Sequence, residues 1–185
     1  SSDLWQEPGM ITRRFQKGDA ASVAVYSDCE RYRYSLTRVW DETGPRALFI
    51  MLNPSTADEV NDDPTNRRGI GFAKRWGYDG CVFVNLFAVR TPSPAVMKAA
   101  ADPVGPDNDE WIERMCKAAD LIVAAWGVHG THRRRDVAVK PIIGRLGAKC
   151  LGLTKAGYPR HILYLPNDAP LIAMPIPVCS AGDST

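Results

Sequence analysis

The sequence predicts an α/β fold, with a central, mostly parallel sheet covered by helices on both faces. Three observations carry that expectation. Short, wholly apolar runs at residues 47–52, 81–84 and 121–125 are the pattern of strands buried on both faces. Segments with helical spacing of apolar residues lie between them, and polar turn signals separate each element from the next. Strands alternating with helices at this spacing form parallel or mixed sheets with helices on either side. At 185 residues the chain suffices for one full hydrophobic core and is short for two.

Residues 1–18 are polar and irregular and read as a loosely tied arm, residues 19–165 as a single domain, and residues 166–185 as an extended, proline-bearing tail. Residues 21–26 and 32–40 are rich in β-branched and aromatic residues. The second run alternates Tyr32, Tyr34 and Leu36 against Arg31, Arg33 and Ser35, as a half-exposed strand does. A turn at residues 41–45 precedes the buried strand 47–52. A polar loop, 53–66, leads to a helix over 67–76 that stops at Gly77. The strand 81–84 follows and ends at Asn85. Helices are expected over 94–101 and 108–119, the latter with an apolar face through Trp111, Ile112, Met115 and Ala119. The strand 121–125 ends at Trp126-Gly127. A helix over 137–146 tolerates Pro141, and strands are expected at 149–153 and 162–165.

Apolar and charged residues make up 45% and 24% of the chain, the proportions of an ordinary globular domain. A net charge of +2 creates no global demand for a polyanionic partner. Basic residues cluster locally at Arg13-Arg14, Arg67-Arg68 and Arg133-Arg134-Arg135, and such patches can hold phosphates or simply form a solvated helix face. The five cysteines are scattered and odd in number, and three sit beside apolar residues. That spacing suggests neither a disulfide framework nor structural zinc, so no metal or other cofactor is expected and a reducing compartment, the cytoplasm, is the default expectation. No run approaches the roughly 18 apolar residues that a membrane span requires, so no membrane association is expected.

In open α/β sheets, ligands collect outside the carboxyl ends of the strands. Three buried runs end in polar or small motifs there: Asn53-Pro54-Ser55, Asn85, and Trp126-Gly127. A carboxamide donates and accepts at once, which suits reading the edge of a heterocycle or orienting a water. The loop after Asn53 carries Asp58, Glu59, Asp62 and Asp63, from which a general base or a metal ligand can come. Asp63-Pro64-Thr65 reads equally well as a turn before a helix. His129 and His132 lie in or just beyond a loop with two glycines, and His161 precedes the last expected strand. No P-loop, GxGxxG or GxSxG motif occurs.

Several stretches together resemble the family called domain of unknown function 1643. They are Tyr32-Arg33-Tyr34-Ser35-Leu36, Met51-Leu52-Asn53-Pro54-Ser55-Thr56-Ala57-Asp58, Asp63-Pro64-Thr65, Val84-Asn85-Leu86-Phe87-Ala88, Asp102-Pro103-Val104-Gly105, Ala125-Trp126-Gly127 and Leu151-Gly152-Leu153-Thr154-Lys155. That family name assigns no activity. Its members tend to carry proline after the histidine, where this chain has Ile162. More distantly, the order of motifs is similar to that of the uracil-DNA glycosylase superfamily, a three-layer α/β/α sandwich with a central parallel sheet. The resemblance implies a site in which Asn53 orients water and Pro54, Ser55, Asn85, Phe87, Trp126 and Gly127 contact a base. It further implies that His161 steadies the leaving base. Asparagine is no general base, so Asp58 or Asp63 takes that role. Arg67, Arg68, Arg133, Arg134 and Arg135 are the candidate phosphate anchors of a nucleic acid or nucleotide. The Pro-Ser expected after the histidine is missing here. Two other functions stay open: a nucleotide- or nucleic-acid-binding module without turnover, and a metal- or phosphate-dependent enzyme using the aspartates of the 53–66 loop.

Overall fold

The computed structural model describes residues 8–175. The chain runs β1 (Met10–Lys17), β2 (Ala20–Ser27), β3 (Arg33–Val39), β4 (Arg46–Met51), α1 (Pro64–Arg75), β5 (Gly80–Asn85), α2 (Pro94–Ala99), α3 (Asn108–Ala118), β6 (Leu121–Ala124), α4 (Arg135–Gly144), β7 (Lys149–Cys150) and β8 (Ile172–Ala173), with a 3-10 segment over Val128–Arg134. All eight strands form one mixed sheet in the order β1-β2-β3-β5-β4-β6-β7-β8.

Its middle is parallel: β5, β4, β6 and β7 are consecutive neighbours with parallel pairing. The rest is antiparallel. A meander of β1, β2 and β3 joins the middle through β3 against β5, and β8 closes the other side against β7. Because the four middle strands share a direction, the residues that follow Met51, Val84 and Ala124 emerge at one edge of the sheet.

Alternation of side chains along β5 splits the core in two. Val82 and Val84 face a cluster with Trp111, Ile112 and Met115 of α3, Val139 and Ile143 of α4, and Met97 of α2. Cys81 and Phe83 face the other cluster, with Phe72 and Ala73 of α1 and with Ile162, Leu165 and Ala169. Helices therefore cover both faces. Each fully buried aromatic here, such as Phe49, Phe83 or Trp111, contributes roughly 1.5–3 kcal/mol through burial alone.

Helix α1 starts three residues earlier than its apolar periodicity suggests. Asp63 caps it, accepting from the Asn66 amide at 2.8 Å, with Pro64 in the first turn, and such a cap is worth about 1 kcal/mol. Gly69 lets α1 lie close on the sheet, since a Cβ there would meet the Phe83 ring at 2.5 Å.

Four expectations are corrected. Residues 10–17 are not a loose arm but strand β1, whose eight residues all pair with β2. Its polar character reflects an edge position, where Arg13, Arg14 and Lys17 meet solvent. Strand β3 is not half-exposed: Arg33, Ser35, Thr37 and Arg38 are as buried as Tyr34 and Leu36, and the 53–66 loop lies over Arg33 and Arg38, accepting from them through the Ala57 and Asp58 carbonyls. Residues 162–165 form a turn instead of pairing in the sheet, closed by Leu165 N–H donating to the Ile162 carbonyl at 3.3 Å, and Ile162 and Leu165 pack into the core cluster that contains α1. Strand β7 stops at Cys150, two residues before Gly152, whose φ of +100° is incompatible with a continuing strand. In the tail, β8 pairs with β7, and residues 176–185 lie outside the described part.

Cys81, Cys116 and Cys150 are buried and Cys29 is exposed, all as free thiols; Cys179 lies outside the described residues. Among the described residues no helix is long and apolar enough to cross a membrane.

Candidate functional site

At the carboxyl edge of the parallel strands lies a cleft of about 580 Å³. Asn53 and Ser55 reach it from the end of β4, Asn85 from the end of β5, Trp126 and Gly127 from the end of β6, and Asp63 and Asn66 from the start of α1. His161 lines its rim, together with Arg160 and a nearly fully solvated Tyr164. Three strand ends and one histidine that are far apart in sequence thus share one cavity.

Each is held in a defined way. The Asn53 carboxamide donates through Nδ2 to the Thr91 carbonyl at 2.7 Å and to the Pro54 carbonyl at 3.1 Å. Both hydrogens are committed, so Oδ1 remains as an acceptor. Pro54 is buried, and its carbonyl also receives the Thr91 amide at 2.9 Å. Asn85 is 2% exposed, and its Nδ2 has no partner. Its backbone is fixed from behind: Asn108 Nδ2 donates to the Asn85 carbonyl at 2.9 Å and to the Leu86 carbonyl at 3.1 Å, and Arg135 Nε donates to the Leu86 carbonyl at 2.7 Å.

Gly127 adopts φ +70°, ψ −167°, a conformation reserved for glycine, and donates its amide to the Pro159 carbonyl at 2.9 Å. That bond ties the end of β6 to the loop bearing His161. The Leu163 amide donates to His161 Nδ1 at 3.2 Å, so the neutral ring carries its proton on Nε2. Desolvation pushes the His161 pKa below its ordinary value, against the opposing attraction of Asp63. The ring is a neutral donor at pH 7.

The cleft also holds an arginine that motif reading missed as a site residue. Arg33 is 2% exposed, lines the cavity and donates through Nη1 to the Ala57 carbonyl, while its Nε lacks a partner. Burial lowers its pKa to about 10, which leaves it charged at neutral pH. Only its place in a strand of tyrosines hinted at burial; nothing local marks it as cleft-lining.

Residues 33–163, most of the chain, match the family model described as Protein of unknown function (DUF1643). The chain belongs to the DUF1643 family. No curated protein and no solved structure matches it.

Several expected site residues of this DUF1643 protein lie elsewhere. Asp58 stays out of the cleft because its Oδ1 accepts from the amides of Val60 and Asn61 at 2.9 and 2.7 Å, closing a turn. The other loop carboxylates also diverge: Asp62 pairs with Arg38 at 2.8 Å and Glu59 accepts from the Tyr26 hydroxyl at 2.9 Å. Asp63 alone of the four lines the cavity. Among the described residues, no three His, Cys, Asp or Glu side chains gather as a metal site.

Phe87 is wholly buried in the opposite core cluster, its ring against His132. Phe83, four residues earlier and in the other core cluster, lends its ring to the cleft instead. None of the five candidate phosphate anchors lines the cavity. Arg67 bonds the Asp62 carbonyl, and Arg68 bonds the Leu165 carbonyl and Asn167. Arg133 donates to the carbonyls of Ala100 and Ala101, each at 3.1 Å. Arg134 is exposed, whereas Arg135 is buried against Asp109. The run of three arginines thus splits into an anchor, a solvated residue and a core residue. At the cleft itself the cations are Arg33 and Arg160.

Proposed function

We propose that the cleft recognises a nucleobase and that the protein hydrolyses the N-glycosidic bond of a modified or damaged base. One observation carries the reading: Asn53, Asn85 and His161 converge on a single cavity at the carboxyl edge of the sheet. The reading draws further on the distant resemblance of the motif order to the uracil-DNA glycosylase superfamily, with these motifs here following parallel strands.

The donor and acceptor inventory suits that ligand. Asn85 Nδ2 and the His161 Nε2–H are donors, Asn53 Oδ1 is an acceptor, and Phe83 and Trp126 add apolar surface for a planar ring. In the reaction, water attacks the anomeric carbon, the C–N bond breaks and its electron pair leaves with the base. Asp63 accepts the proton of the water, and Asn53 orients that water. Asn85 and neutral His161 donate to the base oxygens as charge develops, and this differential stabilisation lowers the barrier. The departing base is finally protonated, which balances the hydrolysis.

The test is base release, measured chromatographically, from single- and double-stranded oligonucleotides and free nucleosides carrying uracil, hypoxanthine and oxidised bases. Release is expected, slowed by on the order of 10²-fold or more in Asp63→Asn. Binding of bases without any release assigns the protein to non-catalytic recognition. Absence of both binding and release at millimolar ligand overturns the reading.

A further inference from the structure

The cleft contains an electrostatic imbalance around Arg33, a group to which the base-reading roles assign nothing. Arg33 is a buried guanidinium, and among the described residues no carboxylate lies within ion-pair distance of it. Its Nε is buried and unpartnered. Asn66, 4% exposed in the first turn of α1, has an unpartnered Nδ2, as does Asn85. All three residues line the same cavity, and each orphan atom is a donor.

Such an arrangement is costly when empty. A buried charge without a counterion carries a penalty of several kcal/mol, and each unmade buried hydrogen bond adds to it. Arg90 and Arg38 add positive potential around Arg33, whereas Tyr26 and Asp63 favour its charge without forming an ion pair with it. Arg38 has its own counterion in Asp62, and Arg90 lies over the Tyr26 ring. The start of α1 also presents its positive dipole end to this wall. Buried donors left unpaired by the protein call for a partner from outside it, and the acceptors of a ligand can supply one.

We infer that Arg33, Asn66 and Asn85 form an oxyanion subsite, and that the ligand of this cleft presents negatively charged oxygens to it. The inference rests on the nucleobase reading only in placing the ligand's ring in the same cavity. The charged oxygens can belong to an acidic or carboxylate-bearing base, or to the phosphate of a nucleotide. In both cases Arg33 is the counterion and the two carboxamides supply neutral donors. This accounts for three unpaired donors that share one cavity, more than an uncharged base with mixed donors and acceptors needs.

Calorimetric titration of the full chain at pH 7.5 separates the possibilities, with orotate, uracil and inorganic phosphate as probes. Orotate and uracil share a ring and differ by a carboxylate. Orotate is expected to bind at least about 10-fold more tightly than uracil. That preference is expected to shrink in Arg33→Lys and vanish in Arg33→Met, and to weaken in Asn66→Leu. Phosphate that competes with orotate assigns the anion to a phosphate-type group, with the subsite intact. If Arg33→Met does not fold, Asn66→Leu together with an anion-dependent rise in Tm of the unmodified protein supplies the readout. Equal affinity for orotate and uracil, a preference that survives both Arg33→Met and Asn66→Leu, or no anion binding at millimolar concentration overturns the subsite. Anion binding through Arg33 without affinity for any pyrimidine or purine would leave the subsite standing and remove the nucleobase reading.

Discussion

The backbone amide of Leu163 donates to Nδ1 of His161 across 3.2 Å, which leaves Nε2 as the nitrogen that carries the neutral ring's proton. A local loop contact, two residues long, thereby fixes the tautomer of a cleft histidine.

The first prediction follows from the desolvation of that ring. Folding lowers the His161 pKa below the unfolded value of about 6.5, so the unfolded chain binds the proton more readily. Its contribution to stability is complete above that value and is lost as pH falls through the folded pKa. Denaturant unfolding between about pH 7.5 and 5 should show stability declining toward acid. His161→Gln should flatten that decline, and an unchanged slope in the variant would remove His161 as its source.

Asn53 cannot be exchanged for a general base. Both hydrogens of its Nδ2 go to backbone carbonyls, so Asn53→Asp sets a carboxylate oxygen against two carbonyl oxygens. The substitution should cost about 1–3 kcal/mol of stability and should not raise turnover. Thermal melts and base-release rates of the variant check both statements.

Gly69→Ala should lower stability although alanine favours helices. The added methyl would sit 2.5 Å from Phe83, and overpacking of this kind costs about 1–3 kcal/mol, against a helix-propensity gain of about 1. Ligand binding should weaken as well, because the ring that must give way lines the cleft. A higher Tm in Gly69→Ala would show that α1 has slack.

The three consecutive arginines should separate by mutation. Arg135→Met removes the bond to the Leu86 carbonyl behind Asn85 and the ion pair with Asp109, a loss of about 1–3 kcal/mol. Arg134→Gly should be neutral or stabilising, since Arg134 is exposed at φ +54°, where glycine carries no penalty. Equal effects from the two substitutions, followed by chemical denaturation, would contradict this division.

Much of the sheet was legible because its central strands have no solvated face: residues 47–52, 81–84 and 121–125 are continuous apolar runs, and such runs have few alternatives to the middle of a parallel sheet. The convergence of Asn53, Asn85 and Trp126-Gly127 follows from the same logic, since parallel neighbours end at one edge. Burial of charge was not legible. Arg38 looks solvated in sequence, yet its guanidinium is satisfied by Asp62, Ser22 and the Asp58 carbonyl, partners 16 to 24 positions away. Likewise nothing in Asp58, Glu59, Asp62 and Asp63 as a string reveals that each serves a different partner. Strand β1 was missed because an edge strand with polar side chains has the composition of a loop.

The bond from Gly127 to Pro159 has one further consequence. Strand ends and the start of α1 form part of the cleft wall, while residues from the 152–165 segment complete it. One main-chain bond, Gly127 to Pro159, joins this segment to the end of β6, and two more, Thr154 to Tyr158 at 2.7 Å and Arg160 to Gly152 at 3.0 Å, brace it internally. Main-chain fastenings are largely indifferent to the side chains they carry. Residues such as Arg160, His161 and Tyr164 are therefore free to diverge among relatives without disturbing the mould they close. Grafting this segment from one member of the family onto another should transfer ligand preference while the acceptor's melting behaviour stays its own.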